Sequence, residues 1–311
     1  MDVILNALLT VVGLVMLCFG GNWLVSGGVA IAKKFRISNL VIGMTIVAYG
    51  TSTPELAASV QAAGEHSAII LGNIVGSNIA NVGMVIGVAA ILAPLAVNKS
   101  VLRKEIPIML AVSFLLVLIS VDGEISQYDG ILLLVGLALF GYYTFKDAVK
   151  QRIENTEKIQ QDQRNVYVKS AGLIGIGVVL LYVGAMLTVE NAVVLAHEFG
   201  LSEKIIGLTV IAIGTSLPEL ITSIAAIRKG HADIGIGNII GSNIYNILMI
   251  MGVGAALGGV MVGTDVYVDY AIMIVFSLSL LITLKTRIIS RAMGICLVIG
   301  YVAYLAVTFF K

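Results

Sequence analysis

Along the chain, long apolar stretches alternate with short polar ones, and the apolar stretches have the length of helices rather than strands. Ten can be drawn, at residues 3–30, 39–63, 67–94, 105–121, 128–146, 169–196, 204–227, 233–260, 266–284 and 289–310. A helix needs about 20 apolar residues to cross a bilayer, so each stretch predicts one transmembrane helix, and the longest predict tilt or irregular ends. The longest polar run, 147–168, is rich in Gln, Glu, Lys, Arg and Asn. It is too short for a soluble domain and reads as a mobile cytoplasmic connector between segments five and six.

The polar loops give a direction. With the N-terminus outside, the inner loops hold 17 of the 19 basic residues, and only Lys204 and Lys311 fall outside. Asp122, Glu124 and Asp129 lie in one outer loop, and Asp265 and Asp269 in another. A bias this large fits the positive-inside rule and supports an even count of ten, because one missed span would scramble the alternation. The expected orientation is N- and C-termini outside a plasma or inner membrane.

Composition agrees. The chain is 59% hydrophobic and 12% charged, against about 25% charged in a soluble domain. Net charge is +1 and the few charges form no basic patch, so no nucleic-acid partner is expected and the lipid bilayer is the surrounding. Cys18 and Cys296 fall in apolar runs and read as packed thiols. His66, His197 and His231 lie at segment ends, and no Cys/His spacing suits a transition metal or a cofactor. The N-terminal Met-Asp-Val-Ile-Leu lacks a positive n-region and a cleavage site, so it reads as the start of the first span rather than a signal peptide.

Two segments break the apolar pattern. Residues 50–55 are Gly-Thr-Ser-Thr-Pro-Glu, and residues 214–219 are Gly-Thr-Ser-Leu-Pro-Glu. Each sets a carboxylate, hydroxyls and a proline at membrane depth, where such groups are costly and mark function. The breaks belong to an internal repeat. Residues 43–56 (GMTIVAYGTSTPEL) and 207–220 (GLTVIAIGTSLPEL) agree at nine of fourteen positions, and 72–81 (GNIVGSNIAN) and 237–246 (GNIIGSNIYN) at eight of ten. Each half holds five spans, and five is odd, so the second half enters the membrane from the opposite side. The fold class is therefore an all-α integral membrane protein of ten transmembrane helices in two inverted-topology five-helix repeats. Residues 1–146 form the first, 147–168 the linker and 169–311 the second. Such repeats recur in secondary transporters and place a site near the midplane, on interrupted helices.

The motifs offer oxygen. Pro54 and Pro218 have no N–H for the carbonyls of Gly50 and Gly214, so carbonyls around Ala48–Thr51 and Ala212–Thr215 become candidate ligands. Ser52, Glu55 and Ser59 share one helix face, and Ser216, Glu219 and Ser223 repeat it. Asn73, Ser77 and Asn81 form a second stripe, repeated by Asn238, Ser242 and Asn246. Hard cations such as Ca²⁺ take about six to eight oxygens, and Na⁺ uses the same inventory. Soft ligands are absent from the stripes, so Zn²⁺ and Cu⁺ fit poorly. Two carboxylates match one Ca²⁺ or two Na⁺, which gives a reason for the ions to compete. Each group also has a purely structural reading. A membrane serine commonly bonds a carbonyl one turn back. Asn73 and Asn238 suit capping of broken helix ends, and the pairs Gly72/Gly76 and Gly237/Gly241 suit close helix packing.

GTSTPE with GNIVGSNIAN, and GTSLPE with GNIIGSNIYN, resemble the two alpha repeats of the sodium/calcium exchanger family, in the cation/calcium antiporter superfamily. The likeness covers nearly the whole chain and is greatest to the small prokaryotic members. It implies that Glu55 and Glu219 are the central carboxylates. Thr51, Ser52, Thr215 and Ser216 would give hydroxyls and carbonyls. Ser77 and Ser242, with the Ala48 and Ala212 carbonyls, would complete flanking Na⁺ sites, and Asn81 and Asn246 would occupy the middle. Some relatives, potassium-dependent exchangers among them, carry an aspartate where Asn246 stands, so this site has two carboxylates rather than three. Spans one and six, both long and glycine-rich, are implied to slide and expose the site alternately.

The activity so implied is Na⁺/Ca²⁺ antiport, normally extruding Ca²⁺, with the ions as cargo and no cofactor. H⁺/Ca²⁺ exchange is the alternative, since both glutamates could carry protons. A Ca²⁺-permeable channel is less well matched, because two deeply placed acids suit a closed site better than a ring-lined pore. An enzyme is not expected: no His or Lys lies mid-span to activate Ser52 or Ser216. A self-contained site fits a functional monomer.

Overall fold

The computed structural model of the chain describes residues 3–62, 67–154, 164–198, 212–263 and 266–310. In order, the helices are α1 (Val3–Phe35), α2 (Asn39–Thr51), α3 (Thr53–Ala62), α4 (residues 67–92), α5 (residues 101–119) and α6 (Gln127–Glu154). They continue with α7 (Arg164–Glu198), α8 (Ala212–Thr215), α9 (Leu217–Arg228), α10 (Ala232–Gly258), α11 (Val266–Leu284) and α12 (Arg291–Phe310). Among the described residues, seven of these are long and apolar enough to cross a membrane unaided: α1, α4, α6, α7, α10, α11 and α12. The other three predicted segments fall short for local reasons. The second and seventh are interrupted at Ser52 and Ser216. The fourth is a 14-residue α-helix, Ile106–Ile119, entered through a π-helical turn at Val101–Glu105. The start of the seventh, residues 204–211, lies outside the described residues.

Two expectations need correction. Much of the 147–168 connector is helix: α6 continues to Glu154 and α7 begins at Arg164. Lys, Gln, Arg and Glu are good helix formers, so an apolar helix runs on into such a stretch without a break. Residues 155–163 lie outside the described residues. Cys18 and Cys296 are not packed inside but free on the outer surface of α1 and α12, because a helix facing lipid has no need to bury a small apolar side chain.

The centre belongs to α4 and α10, whose spanning windows are 83% and 89% buried, while those of α1, α6, α7 and α12 are below a third. Glycine lets α2 lie against α10. A Cβ on Gly237 would sit 2.7 Å from the Leu40 carbonyl oxygen, and one on Gly241 2.8 Å from that of Met44. The matching neighbours of Gly72 and Gly76, residues 204–211 by the repeat, lie outside the described residues.

On the flank, α1 and α7 run antiparallel with backbones in contact. A Cβ on Gly20 would lie 2.9 Å from the Gly177 carbonyl oxygen, and one on Gly184 2.9 Å from that of Gly13. Seven-residue spacing of these glycines holds the seam on one face of each helix. Lys229, at the end of α9, reaches across to α1, donating to the Asn22 carbonyl at 2.7 Å and to Ser26 Oγ at 2.6 Å. Partial burial there lowers the pKa of its ammonium.

Two short ribbons join the ends of helices. Strands β1 (Leu95–Ala96) and β4 (Ile288–Ile289) pair antiparallel, as do β2 (Glu124–Ile125) and β3 (Val260–Met261). Helix α5 runs from the first ribbon to the second and α11 from the second to the first. The bonds repeat too: the Val97 N–H meets the Arg287 carbonyl at 2.8 Å, and the Val262 N–H meets the Gly123 carbonyl at 2.9 Å. Gly123 and Arg287 both adopt positive φ, 89° and 53°. Glycine takes that shape freely, and arginine is held in it by the turn.

Candidate cation-binding site

The breaks in the second and seventh segments are local and alike. Ser52 (φ −84°, ψ 6°) and Ser216 (φ −90°, ψ 2°) leave helical geometry, and a new helix starts at once. Pro54 and Pro218 fall in the first turn of α3 and α9, where a missing N–H costs nothing. Glu55 and Glu219 therefore stand in the first turn of a helix, at the positive end of its dipole. The carbonyls behave less symmetrically. That of Ala48 accepts from the Ser52 N–H at 3.0 Å and the Thr51 hydroxyl at 3.2 Å. In the second half the Ser216 N–H passes Ala212 by and bonds Ile213 at 3.2 Å.

The two carboxyl groups, 2% and 1% exposed, interact with each other across the interface between the halves. Ser52 Oγ donates to Glu219 Oε1 at 3.3 Å, and Ser242 Oγ to the same oxygen at 3.4 Å. Thr51 Oγ1 lies 3.4 Å from Ser242 Oγ and 3.0 Å from Asn238 Oδ1. Thr215 repeats the last contact, meeting Asn73 Oδ1 at 3.4 Å. Asn238 is fully occupied, since it also donates to Ser223 Oγ at 3.1 Å and the Glu219 carbonyl at 3.5 Å. It braces the broken helix, and Ser223, which donates to the Gly235 carbonyl, is likewise used up.

Unpaired atoms separate ligand candidates from packing groups. Several buried hydroxyls elsewhere bond a carbonyl one turn back: Ser113 to Met109, Ser120 to Leu116, Thr144 to Phe140 and Thr188 to Gly184. Ser77 Oγ and Ser216 Oγ have no partner at all, nor does Ser59 Oγ. Glu55 Oε2, Glu219 Oε2, Asn81 Oδ1 and Asn246 Oδ1 share that state. Seven of the eleven such atoms among the described residues thus come from residues singled out by sequence, and all seven are oxygens. Burying an unpaired polar atom is costly, and unpaired oxygens on the helices that meet at the two carboxylates suit a hard cation.

The middle positions have a backbone feature that the sequence does not mark. Asn81 and Asn246 each open a π-helical stretch, Asn81–Ile86 in α4 and Asn246–Met251 in α10. Such widened turns often occur at functional sites. Sequence reasoning also passed over Asn78 and Asn243, which bond directly to the middle asparagines. Their identity in both copies of the GSN motif was the available signal.

Fold and cluster together define a multi-pass helical membrane protein with an oxygen-lined candidate cation site at its centre. Comparison with known proteins narrows this. The chain belongs to the sodium/calcium exchanger protein family, whose model matches residues 5–146 and 169–310. It is 36% identical to the inner membrane protein YrbG of Escherichia coli K12, over 98% of this chain and 97% of that one. It is 33% identical to the sodium/calcium exchanger MaX1 of Methanosarcina acetivorans, over 98% and 99%. A solved structure of the sodium–calcium exchanger NCX_Mj, soaked with Na⁺ and Sr²⁺, superposes with a TM-score of 0.86 at 35% identity, covering 98% of this chain and 99% of that one. The family is one of transporters and not of enzymes.

Proposed function

We propose that the protein exchanges Na⁺ for Ca²⁺ across the cell membrane by alternating access, normally extruding Ca²⁺ as Na⁺ runs inward. The observation that carries this reading is the facing pair Glu55 and Glu219, each with Oε2 unpaired, among further unpaired oxygens of Ser77, Ser216, Asn81 and Asn246. Two buried negative charges repel strongly at low dielectric. One Ca²⁺ or two Na⁺ neutralise them, while the empty pair carries −2 and crosses the barrier unfavourably. Thr51, Ser52, Thr215 and Ser242 supply further hydroxyls, and the carbonyls of Ala48 and Ala212 flank them. The pair then serves one load or the other, which is the physical basis of antiport.

The architecture belonging to this reading is ten spans in two inverted repeats, 1–146 and 169–311, with both termini outside and a functional monomer. The family match over two stretches, 5–146 and 169–310, supports the division. Contacts between loops support the count. Strand β1 follows span three and β4 precedes span ten, so both lie after an odd number of crossings, and they pair. Strands β2 and β3 follow spans four and eight, and they pair. The Asn39 amide, after one crossing, lies 3.2 Å from His231 Nδ1, after seven.

The test is uptake of radiolabelled Ca²⁺ into proteoliposomes preloaded with Na⁺, with and without a proton ionophore. Uptake that follows the Na⁺ gradient and ignores the ionophore is expected. Uptake that needs a pH gradient and ignores internal Na⁺ would replace Na⁺ coupling with H⁺ coupling, and uptake with no exchangeable ion would indicate a channel.

A further inference from the structure

Asn78 and Asn243 are each 1% exposed and have no place among the ligands above. They stand three residues before Asn81 and Asn246, occupy the same position in the two repeats, and bond reciprocally. Asn78 Nδ2 donates to the Asn243 carbonyl at 3.3 Å, and Asn243 Nδ2 to the Asn78 carbonyl at 3.4 Å. Each amide nitrogen also faces a thioether: Met273 Sδ lies 3.8 Å from Asn78 Nδ2, and Met109 Sδ 3.6 Å from Asn243 Nδ2. A carbonyl and a thioether can only accept. Both amides are therefore held with nitrogen towards those groups and oxygen away from them.

The oxygens meet the middle asparagines. Asn246 Nδ2 donates to Asn78 Oδ1 at 3.0 Å, and Asn81 Nδ2 to Asn243 Oδ1 at 3.0 Å. An amide whose nitrogen is engaged on one side shows its oxygen on the other. Asn246 Oδ1 and Asn81 Oδ1 are the atoms left buried without a partner. The two ends of an asparagine amide have nearly the same shape, so sterics alone do not choose between them. The choice matters here, because a turned amide would point N–H groups at a cation.

We propose that Asn78 and Asn243 are positioning residues that fix the amide polarity of Asn246 and Asn81, so that both face the cation with oxygen. The proposal rests on the exchanger reading, which supplies the cation. It also brings in α5 and α11, the helices of Met109 and Met273, as the outer members of each chain of bonds.

The test compares Asn78→Leu in two backgrounds by the KM for Ca²⁺ in Na⁺-driven uptake and by calorimetric Ca²⁺ binding to folded protein in detergent. Leucine keeps the volume and removes the acceptor, so Asn246 is free to turn. In the wild-type background the KM for Ca²⁺ is expected to rise about tenfold, more than the maximal rate falls. In the Asn246→Asp background the carboxyl group carries oxygen at both ends, and adding Asn78→Leu is expected to change the KM by less than about twofold. Asn243→Leu with Asn81→Asp repeats the comparison on the other half if the first variant does not fold. Equal losses in both backgrounds would mean a packing role and overturn the proposal. A wild-type protein that neither exchanges nor binds Ca²⁺ would instead overturn the exchanger reading.

Discussion

The Ser52 hydroxyl, at the break in one helix, donates at 3.3 Å to Glu219 in the other half of the chain. Ser242 reaches the same oxygen, whereas its repeat counterpart Ser77 has no partner. The halves are thus alike in sequence and unlike in bonding, but the proposed site takes a carboxylate from each. A unit charge at 4 Å is worth roughly 4 kcal/mol at an effective dielectric of 20. Glu55→Gln and Glu219→Gln are each expected to lower Na⁺-driven Ca²⁺ uptake at least about a hundredfold, with size-exclusion elution unchanged. Transport retained in both variants would remove these acids from the site.

Thr51 and Ser77 should separate stability from ion binding. The Thr51 hydroxyl is bonded to Ala48 and to Asn238 Oδ1. Thr51→Val strands that buried amide oxygen and is expected to cost about 1–3 kcal/mol of stability without ions. Ser77→Ala removes a hydroxyl that has no protein partner. Its ion-free stability should hold or rise, while the stabilisation gained from Na⁺ shrinks, because a ligand stabilises only through its affinity for the folded state. Thermal denaturation in detergent, with and without saturating Na⁺, checks both. A Ser77→Ala protein with a full Na⁺ response would place Ser77 in packing.

Long apolar runs and a repeat with carboxylates in it are visible in a sequence because they are departures from what lipid permits. The approximate place of most spans, the interruptions within 50–55 and 214–219 and the paired glutamates could be read that way. What was hidden depends on directions within a packed interior. Asn78 and Asn243 lie off the Asn73–Ser77–Asn81 stripe and its repeat, on the adjoining face, and only the folded pair shows that they bond each other. The π-helical turns at Asn81 and Asn246 begin in NVGMVI and NILMIM, which carry no compositional mark. Strands of two residues fall below any periodicity. Helix length in the connector leaves no apolar period to read, although the Lys, Gln, Arg and Glu there favour helix.

The glycines of α1 and α7 look alike in sequence but should respond differently to substitution. A Cβ on Gly20 would press on the Gly177 carbonyl and the Leu181 nitrogen, both 2.9 Å away, whereas one on Gly175 meets nothing within 4 Å among the described residues. Gly20→Ala is expected to lower stability by about 1–3 kcal/mol through overpacking, and to slow exchange. Gly175→Ala should be neutral or stabilising by up to about 1 kcal/mol, from helix propensity. Thermal melts of the two variants, with uptake assays alongside, test the contrast. Equal effects would mean that the α1–α7 seam does not need close backbone contact.

Orientation can be read with single cysteines. In a Cys18→Ser, Cys296→Ser background, Glu124→Cys lies in the β2–β3 ribbon, and Lys99→Cys and Thr286→Cys flank the other one. The inverted ten-span arrangement expects Glu124→Cys to react with a membrane-impermeant maleimide in intact cells, and the other two only after lysis. The opposite pattern would reverse the termini, and labelling of all three from one side would break the ten-span count.

The ribbons also restrict how such a molecule moves. Each one stitches a strand of the first half to a strand of the second, one at either end of α5 and α11. Rocking the halves apart like the jaws of a clamp would tear one ribbon on every stroke. Neither α1 nor α7 is sewn into a ribbon, and α1 meets its neighbours through glycine faces, apolar side chains and a Lys229 bridge. For the proposed exchange, the least costly stroke would therefore be a shuttle of the α1–α7 pair over a stationary frame, like a bolt across a door, with the frame's hinges never opening.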